Sequence, residues 1–429
     1  MVRCGSGGYS KVMAADAIAS STPGTRALFS LPGFAVFFTV RGCSSFAYQI
    51  AAVAIGWQVY ALTGSAFALG MIGLMQFLPV AGLTFFAGHA ADRYERRRVV
   101  QVCQAVEALA SVFLAAGTLM HWLTVAEIFV AVTIMGAARA FESPAMSALL
   151  PGIVPAGMLQ KGTAVTSSVF QLATIAGPAL GGLVYAISPG VPYVVMVAGW
   201  GLSALLLGFV NVARPVAPKE PPTLRALFAG VAFVRRHPAI LGTISLDLFA
   251  VLLGGATALL PIYAKIILHT GPWGLGILRG APAVGALLTS AVLARFPLSG
   301  RTGRFMFEAV ILFGIATIVF GLSRSIVLSV AALVVMGAAD MVSVVIRLSL
   351  VQLRTPDEMR GRVGAVNFLF INASNQLGEF ESGLTASLLG AVPAVVVGGI
   401  GTVVVHCCGC GFSRPCVTLT GWNKTWPIP

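Results

Sequence analysis

Charge is what this chain has least of. Only 10% of its 429 residues are Asp, Glu, Lys or Arg, and just 14 are acidic, so no large water-facing domain can be surfaced from it. Cysteine is scarce too, with seven residues. Cys43 and Cys103 lie inside apolar stretches, where a thiol packs as a small hydrophobe, and no disulfide framework is expected. The apolar stretches hold no Walker-type phosphate loop, no HExxH and no spaced Cys/His cluster. That excludes an ATP-driven pump and a membrane metalloprotease, and no cofactor or metal is expected. Residues 1–26 carry Gly, Ser and Thr around a weak apolar patch, without the pattern of a cleaved signal, and read as a loose tail.

Apolar sequence fills the space that charge leaves. Hydrophobic residues make up 57% of the chain and the mean hydropathy is +0.92. Several runs reach the roughly 20 residues that span a bilayer. Twelve spans are expected, near 33–61, 65–87, 99–120, 123–148, 163–187, 192–212, 239–264, 273–294, 305–322, 326–349, 363–389 and 391–412. The net charge of +13 is not a nucleic-acid footprint, because the cations sit in alternate connections. Arg93, Arg96, Arg97 and Arg98 share one loop, Arg214, Lys219, Arg225, Arg235 and Arg236 the longest, Arg295, Arg301 and Arg304 a third, and Arg354, Arg360 and Arg362 a fourth. Arg324 is nearly alone on the other side, so the positive-inside rule puts both termini in the cytoplasm.

The chain repeats itself. At a shift of 201 residues MGAA at 135–138 falls on MGAA at 336–339, Pro155 on Pro356, Met158 on Met359, Gly177 on Gly378 and Gly182 on Gly383. At a shift of 203, Pro79 and Gly82 meet Pro282 and Gly285. The expected plan is a tail over 1–26, a six-helix half over 27–212, a polar linker over 213–238, a second six-helix half over 239–412 and an atypical tail over 413–429. Parallel repeats of this kind hold their site near the midplane, where the halves meet.

Two motifs carry a family resemblance. GHAADRYERRR, through Gly88, Asp92, Arg93, Arg96 and Arg97, resembles the loop signature between helices 2 and 3 of the major facilitator superfamily, with Glu95 where that family usually has Gly. AGPALGG, through Gly177, Pro178, Gly181 and Gly182, resembles the helix 5 motif of its antiporters and exporters. WQVYALTGSAFALG, RAFESPAMSALLPGIVP and GEFESG are similar to the bacterial exporter branch that includes enterobactin and macrolide efflux proteins. The resemblance implies an all-α membrane protein of two pseudo-symmetric six-helix bundles, and a monomer in the bacterial inner membrane that contacts lipid. It also implies that the Asp92 loop latches one half to the other near Gly361 to Gly364. Independently of family, an acid at a membrane edge can take hydrogen bonds from a helix N-terminus while arginines pair with it or with lipid phosphates. The alternative is that the arginines only set topology. For AGPALGG, close packing and a state-dependent hinge both fit small residues beside a proline.

The sharper signal is charge inside the spans. Arg41, Arg139, Glu142, Asp247, Asp340, Arg347, Glu379 and Glu381 lie far from any expected loop, at roughly 2.5 to 3.5 kcal/mol each for a residue at a helix centre. Most fall on helices 1, 4, 7 and 10, which the resemblance implies line a central cavity. Arg139 and Glu142 are spaced i, i+3 and can pair on one face. Arg139 also maps onto Asp340 in the repeat, so an exchange of partners across the cavity is expected. Asp247 has no cation within a turn of its own helix. Of Glu379 and Glu381, two apart, at most one is expected to reach the cavity.

The expected function is secondary active export of small amphipathic molecules, drug-like or siderophore-like, in exchange for protons. Asp247 and Glu142 are the leading proton carriers and Arg41 and Arg139 their charge partners. An importer or facilitator of the same fold, a membrane-embedded enzyme or a passive channel are the alternatives, and fixed salt bridges are the alternative for the charges. The end is out of character: from His406 the aliphatic pattern stops, leaving the last span about 15 good residues against the roughly 20 needed. Cys407 and Cys408 are adjacent, with no second cluster to complete a metal site.

Overall fold

A computed structural model describes residues 25–31, 33–210, 231–296, 302–356 and 359–412. The expected tail over 1–26, the linker over 213–238 and the segment 413–429 lie largely or wholly outside the described residues. Among the described residues there is no strand.

After a short helix at Thr25–Phe29 come α1 Phe34–Thr63, α2 Ala66–Arg93, α3 Arg96–Leu119, α4 Val125–Ile153, α5 Leu159–Ile187 and α6 Val191–Leu207. The second set is α7 Pro238–Leu253, α8 Gly271–Arg295, α9 Thr302–Leu322, α10 Ile326–Arg354, α11 Arg360–Leu389 and α12 Ala391–Phe412. Several helices outrun the expected spans. Hydropathy marks only the part that suits lipid, whereas a helix continues until its backbone bonding stops. α2 therefore carries on through the polar residues to Arg93. α12 likewise runs on past Val405 to Phe412, which lengthens the span beyond its aliphatic part.

α7 is broken. After Gly254 and Gly255 it continues as a 3₁₀ turn at Ala256–Leu259, a short helix at Leu260–Ile262 and a π turn at Tyr263–Ile267. Two glycines and Pro261 weaken the regular ladder here, and π turns absorb the resulting mismatch.

By length and apolar composition, seven described helices can cross a membrane unaided. α1, α4 and α11 are not among them, because they carry the polar side chains of the interior. The bundle surface instead presents residues such as Leu109, Leu205 and Val327, each more than 60% exposed, as suits a lipid-facing belt.

Helix pairing follows the repeat. α2 packs on α4 as α8 packs on α10; α3 on α4 as α9 on α10; α1 on α5 as α7 on α11; α3 on α6 as α9 on α12. The repeated residues explain the match. Gly136 sits against Pro79 and Gln76 of α2, and Gly337, its counterpart in the second MGAA, sits against Pro282 of α8. Small residues let such helices approach closely, which drives association where no hydrophobic effect operates.

The halves meet through α2 against α11 and α5 against α8. At the end where α1 stops, they are sealed. A Cβ added at Gly182 would lie 2.3 Å from the Pro272 carbonyl oxygen of α8, and one at its counterpart Gly383 would lie 2.5 Å from the Gly70 Cα of α2. Phe67 stacks edge-on against Phe380, and Lys265 lies 5.4 Å from the Tyr60 ring centroid. One cluster of buried apolar residues at this end draws on both halves, including Ile55, Leu69, Leu259 and Leu275. Toward the other end the packing divides. Phe34, Phe37, Val100 and Leu149 form a cluster within the first half, and Ile240, Ile244, Val351 and Val366 one within the second.

A Gly182→Val variant is expected to lose about 1 to 3 kcal/mol of stability, because the added methyls meet backbone that cannot rotate away. A lowered thermal midpoint in detergent, against an unchanged one for Gly201→Val at a site with open space, is the check.

Candidate functional site

Between the halves lies a cavity of about 190 Å³. Tyr48, Gln49 and Ile55 of α1, Gln76 of α2 and Met135 and Arg139 of α4 line one wall; Pro261 beyond α7, Arg279 of α8 and Asn372, Asn375, Gln376 and Glu379 of α11 line the other. Glu107 of α3 and Trp200 of α6 reach it from behind the first wall. Apolar surface with a few convergent polar groups is the usual form of a small-molecule site.

The first wall is organised around Glu142, 1% exposed. Ser44 Oγ of α1 donates to Glu142 Oε1 at 2.8 Å, and Gln104 Nε2 of α3 donates to the same oxygen at 3.0 Å. Arg139 Nη1 donates to Oε2 at 2.7 Å. The i, i+3 spacing puts acid and base on one face of α4, and the other two donors come from the helices packed on that face. The Arg139 guanidinium also lies 4.4 Å from the centroid of the Tyr48 ring, a stacking that further offsets its desolvation. On the second wall Arg279 Nη2 stands 3.8 Å from Glu379 Oε1, a looser pair.

The other ionisable residues of the spans are dispersed. Arg41 is half-buried with its guanidinium 5.7 Å from the Phe170 ring centroid; Arg347 is 3% exposed; Asp340 is half-buried. None of the three is among the residues lining the cavity. Arg139 is bound to Glu142 of its own helix and not to Asp340. Glu381 accepts a hydrogen bond from Thr385 Oγ1 at 2.7 Å, away from the wall that Glu379 occupies. The Asp247 side chain lies outside the described residues. Glu107 and Arg279 are not singled out by the sequence reading, although both sit within apolar runs, VCQAVEALA and GILRGAPAV. Attention to helices 1, 4, 7 and 10 passes over them.

At the end of α2 the surroundings of Gly88 and the side chains of Asp92 and Arg93 lie outside what is described. The arginines that follow bind within the first half. Arg96 Nη1 donates to the Ala148 carbonyl at 3.1 Å, and Arg97 Nη1 to those of Gly208 and Val210, both at 3.2 Å. These are carbonyls near the C-terminal ends of α4 and α6, where a cation satisfies orphan acceptors and meets the negative end of the helix dipole. Glu95 pairs with Arg97 at 3.0 Å and Arg98 at 2.8 Å. In the helix 5 motif Gly177 and Gly181 pack on Gln49 and Ile50 of α1, and Pro178 lies inside the unbroken helix with its carbonyl against Gly276 of α8.

The twelve long helices among the described residues, in two pseudo-symmetric bundles around a central cavity, define a membrane transporter of the major facilitator fold. The chain belongs to that superfamily's transmembrane secretion effector family, whose model matches residues 24–419. It is 27% identical over 380 residues to the enterobactin exporter EntS of Citrobacter koseri, covering 87% of this chain and 90% of that one. It is 26% identical over 379 residues to the enterobactin exporter EntS of Shigella dysenteriae serotype 1, covering 87% and 86%. In three dimensions it resembles a bacterial homolog of the human lysosomal transporter Spinster in an inward-facing and unoccupied conformation, with TM-score 0.75, 12% identity and coverage of 91% and 98%. It also resembles the nucleoside transporter NupG, with TM-score 0.64, 14% identity and coverage of 89% and 99%.

Replacing Glu142 by Gln strands the Arg139 guanidinium and is expected to cost about 3 to 5 kcal/mol, as for a broken buried pair. Glu308→Gln, which breaks a pair more than half exposed, is expected to cost at most about 1 kcal/mol. Thermal unfolding of the two purified variants side by side is the measurement, and equal midpoints would remove Glu142 from its organising place.

Proposed function

We propose that this protein exports small amphipathic molecules of siderophore or drug type across the bacterial inner membrane by alternating access, in exchange for protons. The observation that carries the reading is the division of the apolar packing: one cluster joins both halves at the sealed end, while separate clusters serve each half at the other. Such a molecule can rock about the midplane and exchange which end is sealed. The basic connections gather at the divided end, around Arg96, Arg97, Arg98, Arg295 and Arg354. By the positive-inside rule that end faces the cytoplasm, so this state receives cargo from within, with both termini inside. The moving bodies are residues 27–212 and 239–412, linked by 213–238. Each half carries its own contacts, so a monomer suffices.

Export, and a siderophore as one cargo, are supported by the enterobactin exporters that resemble the chain along most of its length. The present cavity of about 190 Å³ is smaller than the roughly 300 Å³ at which drug-sized pockets begin, so the halves part to admit such a molecule. Proton exchange is supported by acids on both walls, Glu107 on one and Glu379 on the other, beside the guanidinium groups of Arg139 and Arg279.

Two measurements test the reading. In proteoliposomes the purified protein is expected to exchange labelled enterobactin by counterflow, and to accumulate it against its gradient when a pH difference is imposed. A carrier indifferent to the pH difference would be a facilitator, and one that moves no solute would be outside the class of exporters. For orientation, a Ser325→Cys variant in the exposed turn before α10 is expected to react with an impermeant maleimide added to intact spheroplasts. Labelling only after lysis would invert the topology.

A further inference from the structure

Glu142 is surrounded as an anion. Both of its carboxylate oxygens are engaged, one by Ser44 and Gln104 and the other by Arg139. Three donors and no acceptor are the surroundings of a fixed anion, and a proton on Oε2 would forfeit the ion pair with the guanidinium. Glu107 is the opposite case. It is 1% exposed, it lines the cavity between the halves, and its Oε2 has no hydrogen-bond partner. A charged oxygen left bare in that position is costly, while a neutral carboxylic acid is tolerated and brings its own donor.

The neighbours of Glu107 can be taken helix by helix. On α3, Gln104 is one turn earlier on the same face and reaches Glu142, and Cys103 is within electrostatic range. From α4, Glu142 and Arg139 both act on Glu107 electrostatically. From α6 comes Trp200, fully buried, lining the cavity and with an indole Nε1 that also lacks a partner. From α1, Tyr48 lies under the Arg139 guanidinium. Arg279 and Glu379 face the group from the second wall. Arg139 thus pairs with one of the two acids that it acts on and leaves the other without its hydrogen bond.

We propose that Glu107 is the residue that carries the exchanged proton. In the present state it is the neutral acid. When it releases the proton from its carboxyl oxygen to water in the cavity, the carboxylate left behind draws a guanidinium nitrogen of Arg139, which then bridges Glu107 and Glu142. Reprotonation from the opposite compartment, after the halves have rocked, returns Arg139 to Glu142 alone. The inference rests on the proton-exchange reading above and adds to it the identity of the carrier.

The test uses the full chain in proteoliposomes with labelled enterobactin as the probe. Glutamine has the shape of a protonated glutamic acid, so E107Q is expected to keep its thermal midpoint while losing enterobactin accumulation driven by a pH difference. E107D, which restores a titratable oxygen, is expected to recover part of that accumulation. The infrared spectrum of the purified protein at neutral pH is expected to show a protonated-carboxyl band that E107Q lacks. E107Q that accumulates enterobactin as well as the unaltered protein overturns the assignment and leaves proton exchange standing. An unaltered protein that shows counterflow without any response to pH overturns both. An E107Q midpoint lowered as far as that of E142Q, or an infrared spectrum unchanged by the substitution, shows Glu107 to be a structural anion and overturns the assignment as well.

Discussion

One carboxylate holds the first half of the molecule in order. Glu142 is buried on α4 and takes donors from α1, α3 and its own helix. An ionised group at that depth is tolerated because both of its oxygens accept hydrogen bonds, one of them from a guanidinium. The condition works in both directions: if the anion stays, then Ser44, Gln104 and Arg139 are held to it and the three helices cannot slide independently. The side chains on this wall of the cavity, Tyr48 and Arg139 among them, inherit their positions from that constraint.

The second wall is built less tightly, although its helices pair in the same order. Under the shift of 201 residues Arg139 falls on Asp340 and Glu142 on Ser343, and under 203 Gln76 falls on Arg279. The duplicated residues that match are those that pack, such as Gly136 with Gly337, Pro79 with Pro282 and Gly182 with Gly383. The residues that differ are those that carry charge. Helix packing in lipid requires small residues at fixed places, whereas a transported solute and a proton need two unlike surfaces facing each other. Symmetry in the scaffold and asymmetry in the chemistry follow from separate demands on the same repeat.

Much of this was legible in the residues. Apolar runs, alternate basic loops and the internal repeat point to twelve helices, because the bilayer imposes length, orientation and backbone satisfaction on any chain that crosses it. The pairing of Arg139 with Glu142 follows from spacing on one helix. The candidate site is less legible. Gln104 and Ser44 look like ordinary polar residues, and their convergence on Glu142 comes from three separate helices. Glu107 and Arg279 also lie within their spans, yet a rule that favours particular helices passes over them. Asp340 and Arg347, placed on a favoured helix, do not line the cavity. A helix shows a different face every turn, so knowing the helix leaves the direction of a side chain open.

The roles of the arginines at Arg96 and Arg97 divide in the same way. That they sit in a loop rich in cations is plain from the chain, and so is their pull on topology. Their seats on the carbonyls of Ala148, Gly208 and Val210 depend on the ends of α4 and α6 arriving beside α3. Composition, periodicity and repetition thus set the solvent, the number of helices and their alternation, since each of these is a property of a single segment against lipid or water. The closed end, the divided packing opposite it and the choice of which buried acid is saturated and which is bare depend on contacts between residues dozens to hundreds apart in the chain, and no segment carries that information until the helices have packed.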